Sequence, residues 1–443
     1  MKRILALILC LTMLLPLASC TQTPEKTKAT EPAAVEKTEQ KTTEPTAEET
    51  ETEKAPAVEY NHVVNDPLTW DDVNAIPIAN SSMSTEELRD ICVRFFDLSM
   101  TFTWIPDRDY NYVVESQNFA RVLEKGKLTG GIPYITIGYG NLYRIMDSYD
   151  SETGILNMSR FMVEPKVLGN ACSGGATMGW ARCINSIPRF QWTWGMTHAN
   201  GFLKVGPYEY DLTLTEIGRE KDDYGAPEIV ASNGEQVMFE SYAATHKADG
   251  IVNTGHVRMI SDEPIVVRNA DGTINGKESY LICHDQICYN TNEEKYGRVQ
   301  SDGTQYHIAG GNSWKYSFAE LFSTCYIPFT FAEFLGTDPV EDAAVAFTHT
   351  AEGATVHELS VSTVSANYLV LDFYIKVKDG DGKEVFRYSK NNNGFLKNDM
   401  ALKGAIPSSA LQKFADGSHT VELSVQLGNG LRPVFYTGIL KAE

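Results

Sequence analysis

The chain reads Asn170-Ala-Cys-Ser-Gly-Gly-Ala-Thr-Met-Gly-Trp-Ala-Arg182 in the stretch that decides its fold. Small residues that give way to bulky apolar ones predict a packed helix from Cys172 to about Asn185. At a helix start, unpaired N–H groups and the helix dipole stabilise a thiolate, and the same N–H groups can hold an oxyanion during acyl transfer. The alternative is that Cys172 is a small buried hydrophobe, as free cysteines usually are. Cys183 lies further along the same face and is predicted to be core.

A thiolate nucleophile requires a base, and the base requires an orienting group. His256 follows a glycine at the start of one predicted strand, and His284 ends the next strong strand. If those strands pair in antiparallel fashion, the two imidazoles approach each other beside Cys172. We therefore predict His256 as the base and His284 as the orienting residue, with Asp285 and Gln286 as alternatives. Each histidine can also be interpreted as a hydrogen-bonded core side chain.

The pattern on either side of this stretch predicts an α+β fold with two folded parts. Ser84 and Glu87 form a capping box before apolar residues at helical spacing, and Cys92 lies on that apolar face. Further helices are predicted at 234–244 and 317–323, and strands at 250–252, 256–261, 265–268 and 280–284. Short strands separated by turn signals dominate from about residue 337. We expect a catalytic domain at 60–336, followed by a small all-β sandwich domain at 337–443.

The first twenty residues are typical of a secretion signal. Lys2 and Arg3 precede an apolar run too short to span a bilayer, and Leu17-Ala-Ser-Cys20 resembles a bacterial lipobox. That resemblance implies cleavage of a signal peptide, 1–20, and lipidation of Cys20, which places the protein at the extracellular face of the bacterial membrane. The alternative is an ordinary signal peptide with a chance cysteine. Residues 21–59, rich in Thr, Glu and Pro, are expected to be a disordered linker.

Charge and cysteine content exclude several classes of protein. The 38 Lys and Arg residues against 58 Asp and Glu give a net charge of −20, which argues against nucleic-acid binding. Six cysteines remain beyond the signal, too few for a disulfide scaffold, although one disulfide stays open. Cys283, His284 and Cys288 have no second ligand pair at a zinc spacing. We expect no metal, no cofactor and a monomer.

The motifs taken together resemble the NlpC/P60 cysteine peptidases, which cut cell-wall peptides. The matching elements, in chain order, are Gly131-Ile-Pro-Tyr134, Cys172-Ser-Gly174 and Gly255-His-Val257, and they suggest a likeness over about 126–290. The resemblance implies a papain-like domain with helices packed on an antiparallel sheet. It also implies Cys172 as nucleophile, His256 as base, His284 as the third residue, and Tyr134 and Ser173 lining the substrate site.

The chain departs from the family pattern in four places. Ala171 stands where many members have an acidic residue suited to a free substrate amine, and Asp249-Gly250 reverses the family's Gly-Asp. The long spacing between Tyr134 and the nucleophile implies an inserted loop. A second insertion, 186–232, carries Trp192 and Trp194, which we interpret either as a substrate-binding wall or as a loop packed over the core.

The resemblance implies a cysteine hydrolase that cleaves an amide bond in peptidoglycan peptides through a thioester intermediate. Two alternatives stay open: a wall-binding or adhesion lipoprotein that keeps the scaffold without turnover, and another cysteine acyl-transferase, such as an amidase or a transglutaminase-like enzyme. The expected partners are peptidoglycan peptides, and the membrane through the lipid on Cys20.

Overall fold

The structure is a computed structural model. It describes residues 64–114, 119–135, 140–158, 169–186, 193–196, 201–209, 225–287, 297–299, 305–308, 310–347, 355, 363–392, 399–401 and 408–442. The predicted signal, Cys20 and the linker lie outside these residues. No helix in the described ranges combines the length and the apolar character needed to cross a bilayer.

Helices and strands alternate along the first three quarters of the chain, and strands dominate the rest. The helices are α1 Trp70–Asn74, α2 Thr85–Thr101, α3 Leu142–Met146, α4 Cys172–Trp180, α5 Ala226–Asn233, α6 Glu235–Ala243, α7 Phe318–Ser323 and α8 Ser408–Gln412. The strands up to β14 are β1 Thr103–Pro106, β2 Tyr110–Val114, β3 Phe119–Leu123, β4 Thr129–Gly130, β5 Tyr149–Asp150, β6 Ile155–Leu156, β7 Leu203–Lys204, β8 Gly250–Val252, β9 Val257–Ile260, β10 Tyr280–Gln286, β11 Gly297–Val299, β12 Gln305–Ile308, β13 Gly311–Ser317 and β14 Ile327–Thr330. The later strands are β15 Val345–Phe347, β16 Thr363–Ala366, β17 Val370–Lys378, β18 Glu384–Asn391, β19 Asp399–Ala401, β20 Asp416–Leu427 and β21 Val434–Lys441.

A six-stranded antiparallel sheet supports the centre of the molecule. Its strand order is β13-β10-β9-β8-β14-β7, and helices α2 and α4 pack on it. Every residue of α4 is buried. A Cβ added to Gly175 would lie 2.9 Å from the Cβ of Gln286 on β10, and 3.3 Å from the ring of Phe96 on α2. The small residues of α4 therefore let it pass between α2 and the sheet.

A second six-stranded sheet, ordered β11-β12-β4-β1-β6-β5, stands beside the first and is mixed, because β12–β4 and β1–β6 run parallel. Strands β2 and β3 form a separate hairpin. Trp104 on β1 is fully buried and donates from Nε1 to the carbonyl of Gly131 at 3.0 Å. Its role is therefore in the core.

The C-terminal part contains two antiparallel sheets, β15-β16-β19 and β18-β17-β20-β21, and it shares one hydrophobic core with the first part. Asp372 on β17 is fully buried and accepts from Arg144 Nη1 at 3.1 Å and from Asn141 Nδ2 at 2.7 Å. Gly428 lies so close to Ala181 that an added Cβ would approach its Cβ to 2.7 Å. The C-terminal sheets are thus packed onto the segment that follows α4.

The α+β class is confirmed, and so are most of the predicted elements. Ser84 and Glu87 cap α2 as the capping box predicted, and Cys92 and Cys183 are buried. Helix α4 ends at Trp180 rather than near Asn185. Beyond it, Arg182 turns inward and donates to the carbonyls of Ile76 and Pro77.

Two local predictions were wrong. The strand expected at 265–268 consists of isolated bridges, with Ile265 opposite Tyr280 and Arg268 opposite Ile274. Ile265 is 46% exposed, so this segment has no buried face to hold it in a sheet. Helix α5 begins at Ala226, inside the stretch 186–232 that was interpreted as an inserted loop, and ends one residue beyond it.

Candidate active site

Cys172 occupies the first position of α4, where the preceding residue offers no side-chain cap. Ala171 is extended and has no polar side chain, so the first-turn N–H groups of the helix are not capped by it. The backbone N–H groups of Val257 and Ser173 lower the pKa of the thiol, and the sulfur lies 4.0 Å from the carbonyl oxygen of Gly255. Cys172 is 5% exposed, so the sulfur is held mainly by protein groups.

His256 stands in the turn that leads into β9. Its backbone N–H donates to Asn253 Oδ1 at 2.9 Å, and its carbonyl accepts from the Asn253 N–H at 2.9 Å. The ring Nε2 is hydrogen-bonded to Asp285 Oδ1, and the imidazole is close enough to the Cys172 sulfur for each group to shift the pKa of the other. Because Nε2 is engaged by Asp285, Nδ1 is the ring nitrogen left to interact with Cys172. The structure thus brings together the predicted nucleophile and the predicted base.

The electrostatics of the pair favour its charged form. Burial alone would raise the pKa of the Cys172 thiol, but the charge of His256 and its hydrogen bond outweigh burial and lower that pKa. Burial alone would lower the pKa of His256, but Asp285, and after it Cys172, raise it to about 9. Each group therefore favours the charged form of the other, a thiolate beside an imidazolium.

Asp285 on β10 is the third member of the site. It is fully buried, and besides His256 it accepts from Arg258 Nε at 2.8 Å and from the Tyr316 hydroxyl at 2.5 Å, both at Oδ2. Burial alone would raise the pKa of this carboxyl, but the charges of His256 and Arg258 hold it well below its usual range. The Arg258 guanidinium lies over the rings of Tyr316 and Tyr326, at 4.0 and 4.4 Å from their centroids. Asp285 is therefore a fixed, ionised acceptor for the imidazole.

His284, predicted as the orienting residue, faces away from His256. Its Nδ1 is hydrogen-bonded to Ser313 Oγ at 2.7 Å, and its ring packs edge-on against Phe96 of α2. Adjacent residues of a strand point to opposite faces of the sheet. His284 therefore lies on the helix-covered face, and Asp285 takes the role that was assigned to it.

Gln286, the other alternative, also lies on the helix-covered face. Its Nε2 donates to the carbonyl of Ile132 at 2.9 Å, and its stem touches the backbone of α4 at Gly175. Asp249, from the reversed Gly-Asp motif, pairs with Arg89 at 2.7 Å and is 1% exposed. Gln286 thus joins α4 to the sheet and Asp249 joins α2 to it, and both lie outside the contacts among Cys172, His256 and Asp285.

The predicted substrate-binding residues have mixed outcomes. Tyr134 forms a parallel bridge with Asn170, two residues before the nucleophile, and is 9% exposed. Ser173 is 1% exposed, so its hydroxyl is buried in α4 and only its N–H reaches the sulfur. Trp192 and the side chain of Trp194 lie outside the described residues, and the aromatic wall stays a prediction.

The site is open on the side of the loop that carries His256. Thr254 and Gly255 are exposed, and a Cβ added to Gly255 would meet no atom within 4 Å. The short 3₁₀ turn Thr193–Gly195 borders this loop, because Thr193 Oγ1 donates to the Thr254 carbonyl at 3.1 Å. The carbonyl of Gly255 lies 4.0 Å from the sulfur, so we expect a substrate to approach over this exposed loop.

The other described cysteines lack these features. All five cysteines that the structure describes are free thiols, and Cys288 lies outside the described residues. Burial raises the pKa of Cys92 and of Cys283, so both are protonated at neutral pH. Within the described ranges, no group of three His, Cys, Asp or Glu side chains could hold a metal ion. Cys172, by contrast, has its pKa lowered by the neighbouring His256.

No protein-family model matches this chain, and no curated protein does. The apo structure of Bacteroides uniformis beta-glucuronidase 3 has a likeness at 13% sequence identity, over 36% of this chain and 27% of that chain, with a TM-score of 0.11. A likeness of that size carries no argument.

The chemistry of the site follows from its three groups. A thiol nucleophile, a base and a buried acceptor, here Cys172, His256 and Asp285, form the set that acyl transfer through a thioester requires.

Proposed function

We propose that the protein is a cell-surface cysteine hydrolase that cleaves an amide bond in peptidoglycan peptides. The observation that carries the chemistry is that the charge of His256 lowers the pKa of the Cys172 thiol, while His256 is itself hydrogen-bonded to the buried Asp285. A free thiol buried as a core hydrophobe would need none of these partners, and its pKa would be raised as at Cys283.

The proposed reaction has two halves. In the first, the Cys172 thiolate attacks the amide carbonyl, and the oxyanion is held by N–H groups at the start of α4. The His256 imidazolium then gives its proton to the leaving amine, and the C–N bond breaks to leave a thioester. In the second half, His256 takes a proton from water as the water attacks the thioester. The C–S bond then breaks and the carboxylic acid leaves, so the released Cys172 thiolate and the protonated His256 form the starting ion pair again.

The substrate class is supported by sequence features. Residues 126–290 resemble NlpC/P60 peptidases in motif order, and the papain-like arrangement that this implies is compatible with a helix packed on an antiparallel sheet. The lipobox-like Leu17-Ala-Ser-Cys20 and the polar linker would hold the domain at the membrane surface, facing the wall. Ala171 provides no carboxylate for a free amine, so we expect no requirement for an exposed substrate N-terminus.

The test compares wild type with Cys172→Ala and His256→Gln on purified peptidoglycan, with release of new amino groups as the readout. Cys325→Ala is the matched control, because Cys325 is also a free thiol and is partly exposed. We expect release by wild type and Cys325→Ala only. Equal release by all four proteins contradicts the mechanism. Products joined to a second amine, instead of carrying a new carboxylate, would assign the site to a transferase.

A further inference from the structure

Arg258 is the charged residue beside the candidate triad whose hydrogen-bonding capacity is least used. It lies two positions after His256, and the two side chains meet the same carboxylate, His256 at Oδ1 of Asp285 and Arg258 at Oδ2. A guanidinium has five N–H donors. Among the described residues, only the Nε–H of Arg258 has an acceptor, so the four donors on Nη1 and Nη2 are left over.

These two nitrogen atoms reach the surface of the protein. The Arg258 side chain is 11% exposed, and neither Nη1 nor Nη2 is among the described polar atoms that are buried without a hydrogen-bond partner. Arg144 shows the contrast, because its Nε and Nη2 are such buried atoms. An anion can therefore approach the Nη edge of Arg258 from solvent, whereas it cannot approach Arg144.

Two aromatic rings fix the plane of this guanidinium. The ring centroids of Tyr316, on β13, and Tyr326, directly before β14, lie 4.0 and 4.4 Å from its central carbon. In the strand order, β13 and β14 stand on opposite sides of β9, which carries Arg258. Rings stacked on a guanidinium cover its faces and leave its edge for hydrogen bonds. With Nε held by Asp285, the free edge is preorganised for a planar acceptor that binds through two oxygens, such as a carboxylate.

The Tyr326 hydroxyl provides a further donor close to Cys172. It has no hydrogen bond to a described residue, and it is not among the buried atoms without a partner, so it reaches the surface although the residue is 3% exposed. Burial raises the pKa of this hydroxyl, the charge of Arg258 lowers it, and the charges of Asp285 and Cys172 raise it further. The hydroxyl is therefore near both the guanidinium and the nucleophile.

We infer that Arg258 and the Tyr326 hydroxyl bind a carboxylate of the substrate next to the amide that Cys172 attacks. The inference rests on the proposed function, because it assigns a specificity to that site. It gives a role to the second cation beside Asp285, which already has the imidazole as a partner. Since Ala171 provides no carboxylate for a free amine, the site selects its peptide by a negative charge instead of a positive one.

The test uses thiol reagents that differ only in charge, so it does not require amide cleavage. Iodoacetate and 3-maleimidopropionate place a carboxylate at two different distances from the reacting carbon, and iodoacetamide and 3-maleimidopropionamide are their neutral counterparts. Both members of a pair meet the same thiolate, so the ratio of their rates at Cys172 reports anion binding and cancels any change in thiol ionisation. For at least one pair, we expect the ratio of the anionic to the neutral reagent to be roughly tenfold higher in wild type than in Arg258→Gln.

Three further variants separate charge, geometry and folding. Tyr326→Phe keeps the ring on Arg258 and removes the hydroxyl, so the ratio should fall by roughly threefold. Arg258→Lys keeps the charge without the planar fork, so its ratio should lie between those of wild type and Arg258→Gln. Arg268→Ala removes an exposed guanidinium paired with Glu240 and should keep the wild-type ratio. Thermal unfolding shows whether each variant is folded, and if Arg258→Gln is not, the Tyr326→Phe ratio decides.

The outcomes distinguish this inference from the proposed function. For both pairs, equal ratios in wild type, Arg258→Gln and Tyr326→Phe overturn the inference alone, provided that Cys172 still reacts at about pH 6. No reaction with any of the four reagents refutes the activated thiolate and both proposals with it. Mass spectrometry of the peptides released from peptidoglycan identifies the carboxylate as a chain terminus or as a side chain beside the cut. Release of peptides with neither contradicts the inference.

Discussion

Replacing Asp285 by Asn should remove most of the reactivity of Cys172 while keeping the volume of the side chain at position 285. The pKa of His256 is raised from 6.5 to about 9, and Asp285 is the larger of the two groups that raise it. A difference of that size corresponds to ~3 kcal/mol, and Asp285 supplies the larger share of it. Without the Asp285 charge, the neutral thiol–imidazole pair should become more stable relative to the ion pair.

The assay is alkylation of Cys172 by iodoacetamide as a function of pH, with the labelled peptide identified by mass spectrometry. Wild type should react at about pH 6, well below the ~8.5 at which an ordinary thiol ionises. In Asp285→Asn we expect the rate at that pH to fall roughly tenfold to hundredfold. Cys92 and Cys283 should stay unlabelled, because burial keeps their thiols protonated.

The matched control is His284→Gln, which changes the adjacent residue on the opposite face of β10. Its expected alkylation profile is that of wild type, although loss of the contact with Phe96 should lower stability. If Asp285→Asn keeps the wild-type profile while His284→Gln shifts it, the assignment of the orienting residue is refuted.

Three further predictions concern stability and are checked by urea unfolding. Because the pKa of His256 is raised on folding, protonation of His256 stabilises the folded state, fully below pH 6.5 and no longer above about pH 9. The difference in free energy of unfolding between wild type and His256→Gln should therefore shrink as the pH rises from 6.5 to about 9. Asp372→Asn leaves the buried guanidinium of Arg144 without its counter-ion and should lower the free energy of unfolding by ~3–5 kcal/mol. Glu422→Gln removes a partly exposed ion pair with Lys378 in the same sheet and should lower it by less than ~1 kcal/mol. Gly175→Ala should destabilise the fold by ~1–3 kcal/mol through overpacking, and the higher helix propensity of alanine should offset ~1 kcal/mol of that loss. Gly255→Ala adds a methyl group where no atom lies within 4 Å, so it should change the free energy of unfolding by no more than ~0.5 kcal/mol.

Local signals in the sequence were sufficient for the elements that build the site. The capping box at Ser84 and Glu87 marked the start of α2, and the run of small residues after Cys172 marked α4. His256 was identifiable because it lies between a glycine and an apolar run, which is a common pattern at the start of a strand. These features depend on neighbours within a few residues, which a single sequence displays directly.

The third residue depends on strand register, which sequence alone leaves open. His284 and Asp285 are adjacent, and a shift by one residue moves a side chain to the other face of the sheet. Only the pairing of β10 with β13 and the packing of Phe96 decide which of the two meets the imidazole. The partners that hold Asp285, Arg258 and Tyr316, carry no motif, because their role arises from tertiary contact alone.

The packing of Gly428 against Ala181 also ties the helix of the reactive thiol to the last strands of the chain. Helix α4 has its sulfur at one end and this contact just past the other, so its surroundings are complete only when strand β20 and the turn after it are in place. A chain that ends before β20 should therefore hold α4 less firmly, even though Cys172, His256 and Asp285 all lie upstream of the missing part.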